Sequence, residues 1–381
     1  MRLLIITPLY PPAVGGAATY FGSLMPDLAA RAEIDDLTVV TERLPGEPAE
    51  RTAGTLHILR QLPRHASCPP SSWLAHAYMY VQVQAWFALR LRRLVRRRGV
   101  DLIHFHTRYR GRWVYAALRG SGVPILANLH DKLTAPAALT RVADWLLCCA
   151  QGVERFAVDG GFPPARLSTL PLACAAPAVP SPERVAAVQR RYGLDRSPYI
   201  LFVGDITANK GVYELLEAYA RWRTEPPQAQ LVFSGTNREG RRFTRQIRKV
   251  LGATYLGPVP RDEDLALMRG ALVVALPSRT EGLPYVMLEA LSLGVNVIAP
   301  PGIPELDAHV GESVLPEISV PAIVRGLEAA WTRHGAPSYP LEPHRPERVV
   351  SDLVRLYGRI LASAASASAG PVSDPAGDRV A

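Results

Sequence analysis

The chain has 381 residues, of which 48% are hydrophobic and 20% charged. That excludes disorder of the whole and exceeds what one small core needs, so two domains of ordinary size are expected. The formal charge of +9 is unevenly placed, because residues 1–175 hold 20 Lys and Arg against 12 Asp and Glu, while residues 176–381 hold 23 against 22. A basic first half is suited to nucleic acid, anionic lipid or a charged acceptor, and nucleic acid ranks low because no recognised binding module accompanies the arginines.

The four cysteines, Cys68, Cys148, Cys149 and Cys174, form no Cys-x-x-Cys pair and have no histidine at metal-ligand spacing. The expectation is a reduced, intracellular protein without structural zinc. Met1-Arg2 leads straight into a short strand pattern, with no apolar core or cleavage site of an export signal, so a cytoplasmic location is expected.

Residues 2–7 form an apolar run of strand length, as in a parallel sheet covered on both faces. Residues 8–16 follow as a loop in which Gly15 and Gly16 precede a helical pattern carried by Leu24, Leu28 and Ala29. The two glycines would let the backbone approach a ligand closely, although the third glycine of a dinucleotide fingerprint is missing and a plain flexible loop explains them equally well. Residues 37–41 read as a second strand and 43–54 as a surface loop.

Residues 66–89 are the longest charge-free stretch, but His76, Gln82, Gln84 and Pro69-Pro70 make it a poor membrane span. From Leu74 it reads as an amphipathic helix, with Ala77, Val81, Ala85, Ala88, Leu91 and Val95 on one face and Arg90, Arg92, Arg93, Arg96, Arg97 and Arg98 on the others. Two readings stand. One is a basic surface resting on anionic lipid, with Trp73, Tyr78, Tyr80, Trp86 and Phe87 at the interface. The other, which is preferred, is a solvated helix whose last arginines favour its dipole. Residues 101–106 return to strand and place His104 and His106 at period two. With no third ligand nearby, a packing role is preferred to metal binding.

Residues 124–129 form a strand ending in His130-Asp131, at the carboxyl edge where open α/β sheets bind ligands; a capping pair is the alternative. Residues 145–149 and 167–172 are further short strands, and the Ala- and Pro-rich segment 173–182 is a linker.

The pattern then begins again. Residues 199–203 form a strand, followed by a loop with Gly204 and the lone cation Lys210, which suits a diphosphate as a point charge. Strands over 230–234, 253–256, 271–276 and 295–299 follow, the last leading into a turn at residues 301–306. Between them lies Pro277-Ser-Arg-Thr-Glu-Gly-Leu-Pro-Tyr-Val-Met-Leu-Glu-Ala-Leu-Ser-Leu-Gly294, where seven residues separate Glu281 from Glu289. It reads as strand, tight loop and helix, with Pro284 at the first helical position. Such a loop aims backbone N–H groups and the positive helix end at one point, which suits a phosphate. Carboxylates beside it suit sugar or ribose hydroxyls, so together they suggest a sugar nucleotide, although a capping and a solvated glutamate would give the same pattern.

Two sets of alternating strands and helices mean two doubly wound α/β domains, over 1–175 and 176–345. A C-terminal helix over 346–362 would pack back towards the first domain, and an Ala/Ser/Gly/Pro-rich tail over 363–381 is expected to be disordered. Gly15, Gly16, His130, Lys210, Glu281, Glu289 and Glu305 all fall in strand-end loops and would converge on one interdomain ligand.

These residues carry a resemblance. The chain is similar to retaining nucleotide-sugar glycosyltransferases of family 4 in Pro11-Pro12 with Gly15-Gly16, Asp101-Leu-Ile-His-Phe-His106, His130-Asp131, Val203-Gly204 with Lys210-Gly211, Leu256-Gly257, Pro277-Ser278, Glu281-Gly282 with Glu289-Ala290 and Gly294, and Gly302-Ile-Pro-Glu-Leu306. The resemblance implies a GT-B type α/β fold of two facing Rossmann-like domains with an interdomain cleft, and transfer of a hexose with retention of configuration. It places Glu281 and His130 by the donor sugar, Lys210 at the leaving diphosphate and Glu289 on the ribose hydroxyls. Gly15 and Gly16 would close over the donor, and Gly282, Leu283, Tyr285 and Val286 would line its site. It implies no metal or other cofactor, and as partners a nucleotide-sugar donor with a glycan, lipid-linked or small-molecule acceptor. No covalent nucleophile is assigned.

Two positions depart from the family's pattern. Asp205 stands where an arginine is usual, and Arg279 and Arg238 are candidate compensating cations by position. Pro284 replaces a common glycine. A sugar-nucleotide epimerase, or a catalytically weakened sugar-nucleotide-binding protein, are the competing functions, and Asp205 is the feature that favours the last.

Overall fold

A computed structural model of the protein describes residues 1–13, 15–64, 73–107, 109–175, 177–223, 228–333 and 335–368. In the first domain β1 (Arg2–Ile6), β2 (Asp36–Glu42), β3 (Glu50–Ala53), β4 (Leu56–Leu62), β5 (Leu102–His106), β6 (Ile125–Leu129), β7 (Trp145–Cys148) and β8 (Leu167–Thr169) form one sheet in the order β3-β4-β2-β1-β5-β6-β7-β8. All neighbours are parallel except the β3–β4 pair. Helices cover both faces, which is why β1 is apolar after Arg2: Leu3 and Ile5 enter one core cluster and Leu4 and Ile6 the other.

The second domain holds β9 (Tyr199–Val203), β10 (Gln230–Ser234), β11 (Ala253–Gly257), β12 (Val273–Ala275) and β13 (Val297–Ile298), all parallel, in the order β11-β10-β9-β12-β13. The two sheets are the two doubly wound domains expected from the alternating pattern.

Three segments differ from the sequence reading. Residues 50–62 are a hairpin rather than the end of a loop, with Thr52 opposite His57. Its outer strand is wholly exposed and its inner strand carries the buried Arg60, so neither shows a clean apolar pattern. The helical stretch after residue 73 is three pieces, Trp73–Trp86, a wide π-helical turn Phe87–Leu91 and Arg92–Arg98. The wide turn adds about one residue and rotates the later residues by about 100°. As a result Val83, Trp86, Phe87, Leu91 and Val95 are buried together, while Val81 of the expected apolar face is exposed. Trp86 and Phe87 are therefore core residues and not interfacial ones. Pro69 and Pro70 lie outside the described residues, as does the side chain of Trp73.

The terminal helix runs Pro346–Ser368, past the expected end at 362, because alanine in Ala362–Ser368 favours helix. Residues 369–381 lie outside the described residues. This helix crosses onto the first domain: the Tyr357 hydroxyl is 2.8 Å from His104 Nδ1, and Arg31 donates to Ser351.

Candidate active site

Each domain presents the carboxyl ends of its strands to the other, and Gly282 and His130 bring the two into direct contact. A Cβ built on Gly282 would overlap the His130 carbonyl oxygen and come within 3.0 Å of Cys149 Sγ, so only glycine lets the two loops meet. A few residues further along, Tyr285 opens the helix Tyr285–Ser292, with Pro284 just before it rather than inside it. The Tyr285 hydroxyl donates to the Ala173 carbonyl at the end of the first domain. A Cβ at Gly16 would meet Tyr285 Cδ2 at 3.8 Å, so the start of the helix Gly16–Ala29 faces the same ring.

Within the second domain, two strand-end loops are tied together. Arg279 N donates to the Asn209 carbonyl at 2.8 Å. Gly211, at φ +68°, follows Lys210, and any Cβ there would collide with the Pro277 carbonyl. This holds Lys210 against the Glu281 loop, and Lys210 Nζ bonds Glu281 Oε1. Lys210 and Glu281, distant in sequence but adjacent in space, are thus one ion pair at the rim of the cleft.

Glu289 lies in the middle of its helix and is buried, 4% exposed. Burial raises its pKa, and Arg261 opposes the rise. Arg261 NH1 is 2.6 Å from Glu289 Oε1, an ion pair that holds the buried carboxylate in its charged form. Next to it, burial pushes the Asp264 carboxyl up to about 6 while Ser234 Oγ donates to it at 2.6 Å.

His130 is stacked on His106, with ring centroids 4.9 Å apart, and has Tyr20 against its edge at 4.9 Å. Burial lowers its pKa to about 4, so the imidazole is neutral near pH 7, and its Nε2 is buried without a partner among the described residues. His104 packs deeper, on Tyr357, in agreement with the packing role expected for that strand. Among the described residues no group of three or more His, Cys, Asp or Glu is arranged to hold a metal.

The two candidate compensating cations are both engaged. Arg238 Nε donates to Asp205 Oδ2 at 3.2 Å, so the unusual acid is neutralised by its neighbour. Arg279 is held by Glu214 at 2.5 Å and by the Ala208 carbonyl at 2.7 Å. Leu283 is buried and Val286 half-buried beside the core. Glu305 reaches across the domains, its Oε1 accepting from Gln151 N at 2.6 Å.

Arg261, Asp264 and Cys149 are site residues that the sequence reading does not single out. Arg261 carries a usable signal, since a cation at the first position of a helix opposes its dipole and calls for another reason to be there.

Two Rossmann-like domains facing each other across a cleft define the GT-B class. Known structures agree with this class: sucrose-phosphate synthase from Thermosynechococcus elongatus superposes with a TM-score of 0.68 at 19% identity, covering 96% of this chain and 98% of that one. Family models match on both sides of the cleft, "Glycosyltransferase Family 4" over residues 14–174 and "Glycosyl transferases group 1" over residues 197–332. The chain belongs to the family 4 glycosyltransferases.

Among relatives, the chain is 31% identical to alpha-D-kanosaminyltransferase of Streptomyces kanamyceticus over 30% of this chain and 31% of that one. It is 27% identical to the GDP-mannose-dependent alpha-(1-6)-phosphatidylinositol monomannoside mannosyltransferase of Mycobacterium tuberculosis over 81% of this chain and 83% of that one. The chain spans only 31% to 45% of the length of several other curated relatives it matches. Among the described residues no helix is long and apolar enough to cross a membrane.

Proposed function

We propose that the protein transfers a hexosyl group from a nucleotide diphosphate sugar to an acceptor hydroxyl, with retention of anomeric configuration. The observation that carries this reading is the Lys210–Glu281 pair, held by Gly211 and Gly282 between two helix starts in the cleft. In the proposed reaction the bond from the anomeric carbon to the leaving phosphate oxygen breaks, and its electron pair goes to the diphosphate. The acceptor oxygen bonds to the same carbon and its proton passes to the leaving phosphate.

Lys210 and the amides at the start of the Tyr285–Ser292 helix offset the charge that develops on the diphosphate, so the proposed reaction uses no metal ion. Entry of the diphosphate competes with Glu281 for Lys210, which frees Glu281 to accept from hydroxyls of the donor sugar. Glu289, a buried carboxylate kept charged by Arg261, is suited to the ribose hydroxyls. His130, neutral at pH 7, is suited to a hydrogen bond with the sugar rather than to a charge contact. The GDP-mannose dependence of the mycobacterial relative supports a hexose donor.

The test is a binding screen against nucleotide sugars with transfer assays on Lys210→Ala and Glu281→Gln. Loss of transfer by roughly a hundredfold or more, with an unchanged melt, is expected. Unchanged transfer rates would sink the assignment, and a changed sugar without any acceptor would indicate epimerisation instead.

A further inference from the structure

We propose that the exposed face of the helical stretch 73–98 is a docking surface for an anionic lipid bilayer. Leu74, Tyr78 and Val81, at i, i+4 and i+7, are 71%, 65% and 58% exposed, and Leu89, beyond the wide turn, is 77% exposed. From Leu89 the outward face continues at four-residue spacing through Arg93 and Arg97, both exposed. The wide turn is what makes this possible. It lets Phe87, Leu91 and Val95 stay in the core while a separate apolar stripe is left facing outwards.

The charge around the stripe has one sign. Residues 51–100 contain nine arginines and no acidic residue. Of the arginines at 90, 92, 93, 96, 97 and 98, only Arg98 has an ion pair among the described residues, to Asp36 at 3.5 Å. Trp113, 56% exposed, lies on the neighbouring helix, its backbone N–H donating to the buried Gln84 Oε1 at 3.2 Å.

This combination selects among occupants. Tyr78, Trp113 and the arginines would suit a nucleic-acid single strand, but the exposed aliphatic Leu74, Val81 and Leu89 do nothing for one. A second copy packed through the same patch about a two-fold axis would set arginine against arginine. An anionic bilayer satisfies both halves, because apolar side chains enter the acyl boundary and guanidinium groups meet lipid phosphates.

The placement matters for the cleft. Gln84 Nε2 donates at 2.7 Å to the carbonyl of Arg110, in the loop after β5, so Gln84 is level with the sheet's carboxyl edge. The turns before it project beyond that edge, onto the rim of the cleft. A bilayer on this face would therefore lie on the side of the first domain that faces the cleft. That the acceptor is lipid-linked rests on the glycosyl transfer proposed above, whereas the docking surface does not.

The test is co-flotation of the full chain with vesicles of phosphatidylcholine alone or phosphatidylcholine with phosphatidylglycerol. Binding is expected only to the second, weakening as salt rises. Arg93→Ser with Arg97→Ser is expected to lower the partition coefficient roughly fivefold for each arginine removed. Leu74→Ser with Val81→Ser is expected to lower it at least as much, and since all four side chains are exposed the melt should not move. Equal binding to both vesicles, no loss in either variant, or binding only to single-stranded RNA would overturn the proposal. Nucleotide-sugar binding, measured on the same variants, reports separately on the glycosyltransferase reading.

Discussion

Arg261 and Glu289 stand 2.6 Å apart, a cation at the first position of one helix against a buried carboxylate in the middle of another. The pair joins two helices of the second domain. Removing Arg261 leaves Glu289 with burial and no opposing charge. Arg261→Ala is expected to raise the Glu289 pKa further and to cost about 1–2 kcal/mol of stability, less than a fully buried pair because Arg261 is itself half exposed. Thermal melts check the stability, and calorimetric titration with nucleoside diphosphates checks the expected weakening.

Gly282 offers a sharper test of domain contact. Gly282→Ala forces a methyl group into the His130 carbonyl, so the two domains must separate by a few tenths of an ångström or more. A stability loss of about 1–3 kcal/mol and a larger loss of transfer are expected. A variant with normal transfer would show that this approach plays no part in turnover.

The Asp205–Arg238 pair predicts a gain. Asp205→Asn leaves Arg238 without its acid at the edge of the Lys210 loop. Nucleoside diphosphate binding should tighten by roughly threefold to tenfold, with the gain fading as salt rises, since the pair is largely exposed. Titrations at low and high ionic strength measure both effects.

Two buried histidines predict an acid-side loss of stability. Burial lowers the His104 pKa to about 3 and that of His130 to about 4. The unfolded chain binds those protons near pH 6.5 and the folded chain does not, so stability is full above that pH and falls as pH drops towards 4, by roughly 2 kcal/mol per histidine at about pH 5. Asp264, raised to about 6, works in the opposite sense over part of this window. The decrease in Tm between about pH 7.5 and about pH 5 should therefore shrink in His104→Asn.

Much of the fold is legible because buried parallel strands write themselves as apolar runs, as β1, β9 and β12 do. The site is legible where a residue type conflicts with its surroundings, as Lys210 does beside a helix start. The periodicity of 74–98 misleads because it presumes a straight helix. Ala77, Val81, Ala85, Ala88, Leu91 and Val95 share a face only without the wide turn at 87–91, and nothing in Phe-Ala-Leu-Arg-Leu announces it. The hairpin over 50–62 stays hidden because a fully exposed edge strand has no burial pattern. Position alone points to Arg238, and its partner is the very acid it was invoked to offset.

The contact between Glu305 and Gln151 has a mechanical consequence. The helix Gln151–Asp159 has no side-chain cap of its own, and the carboxylate that accepts its first N–H comes from the opposite domain. Opening the cleft at this point must therefore uncap a helix, at a cost of about 0.5–2 kcal/mol. Hinge motion and local fraying become a single event, and amide exchange in the first turn of that helix should report how often the two domains part.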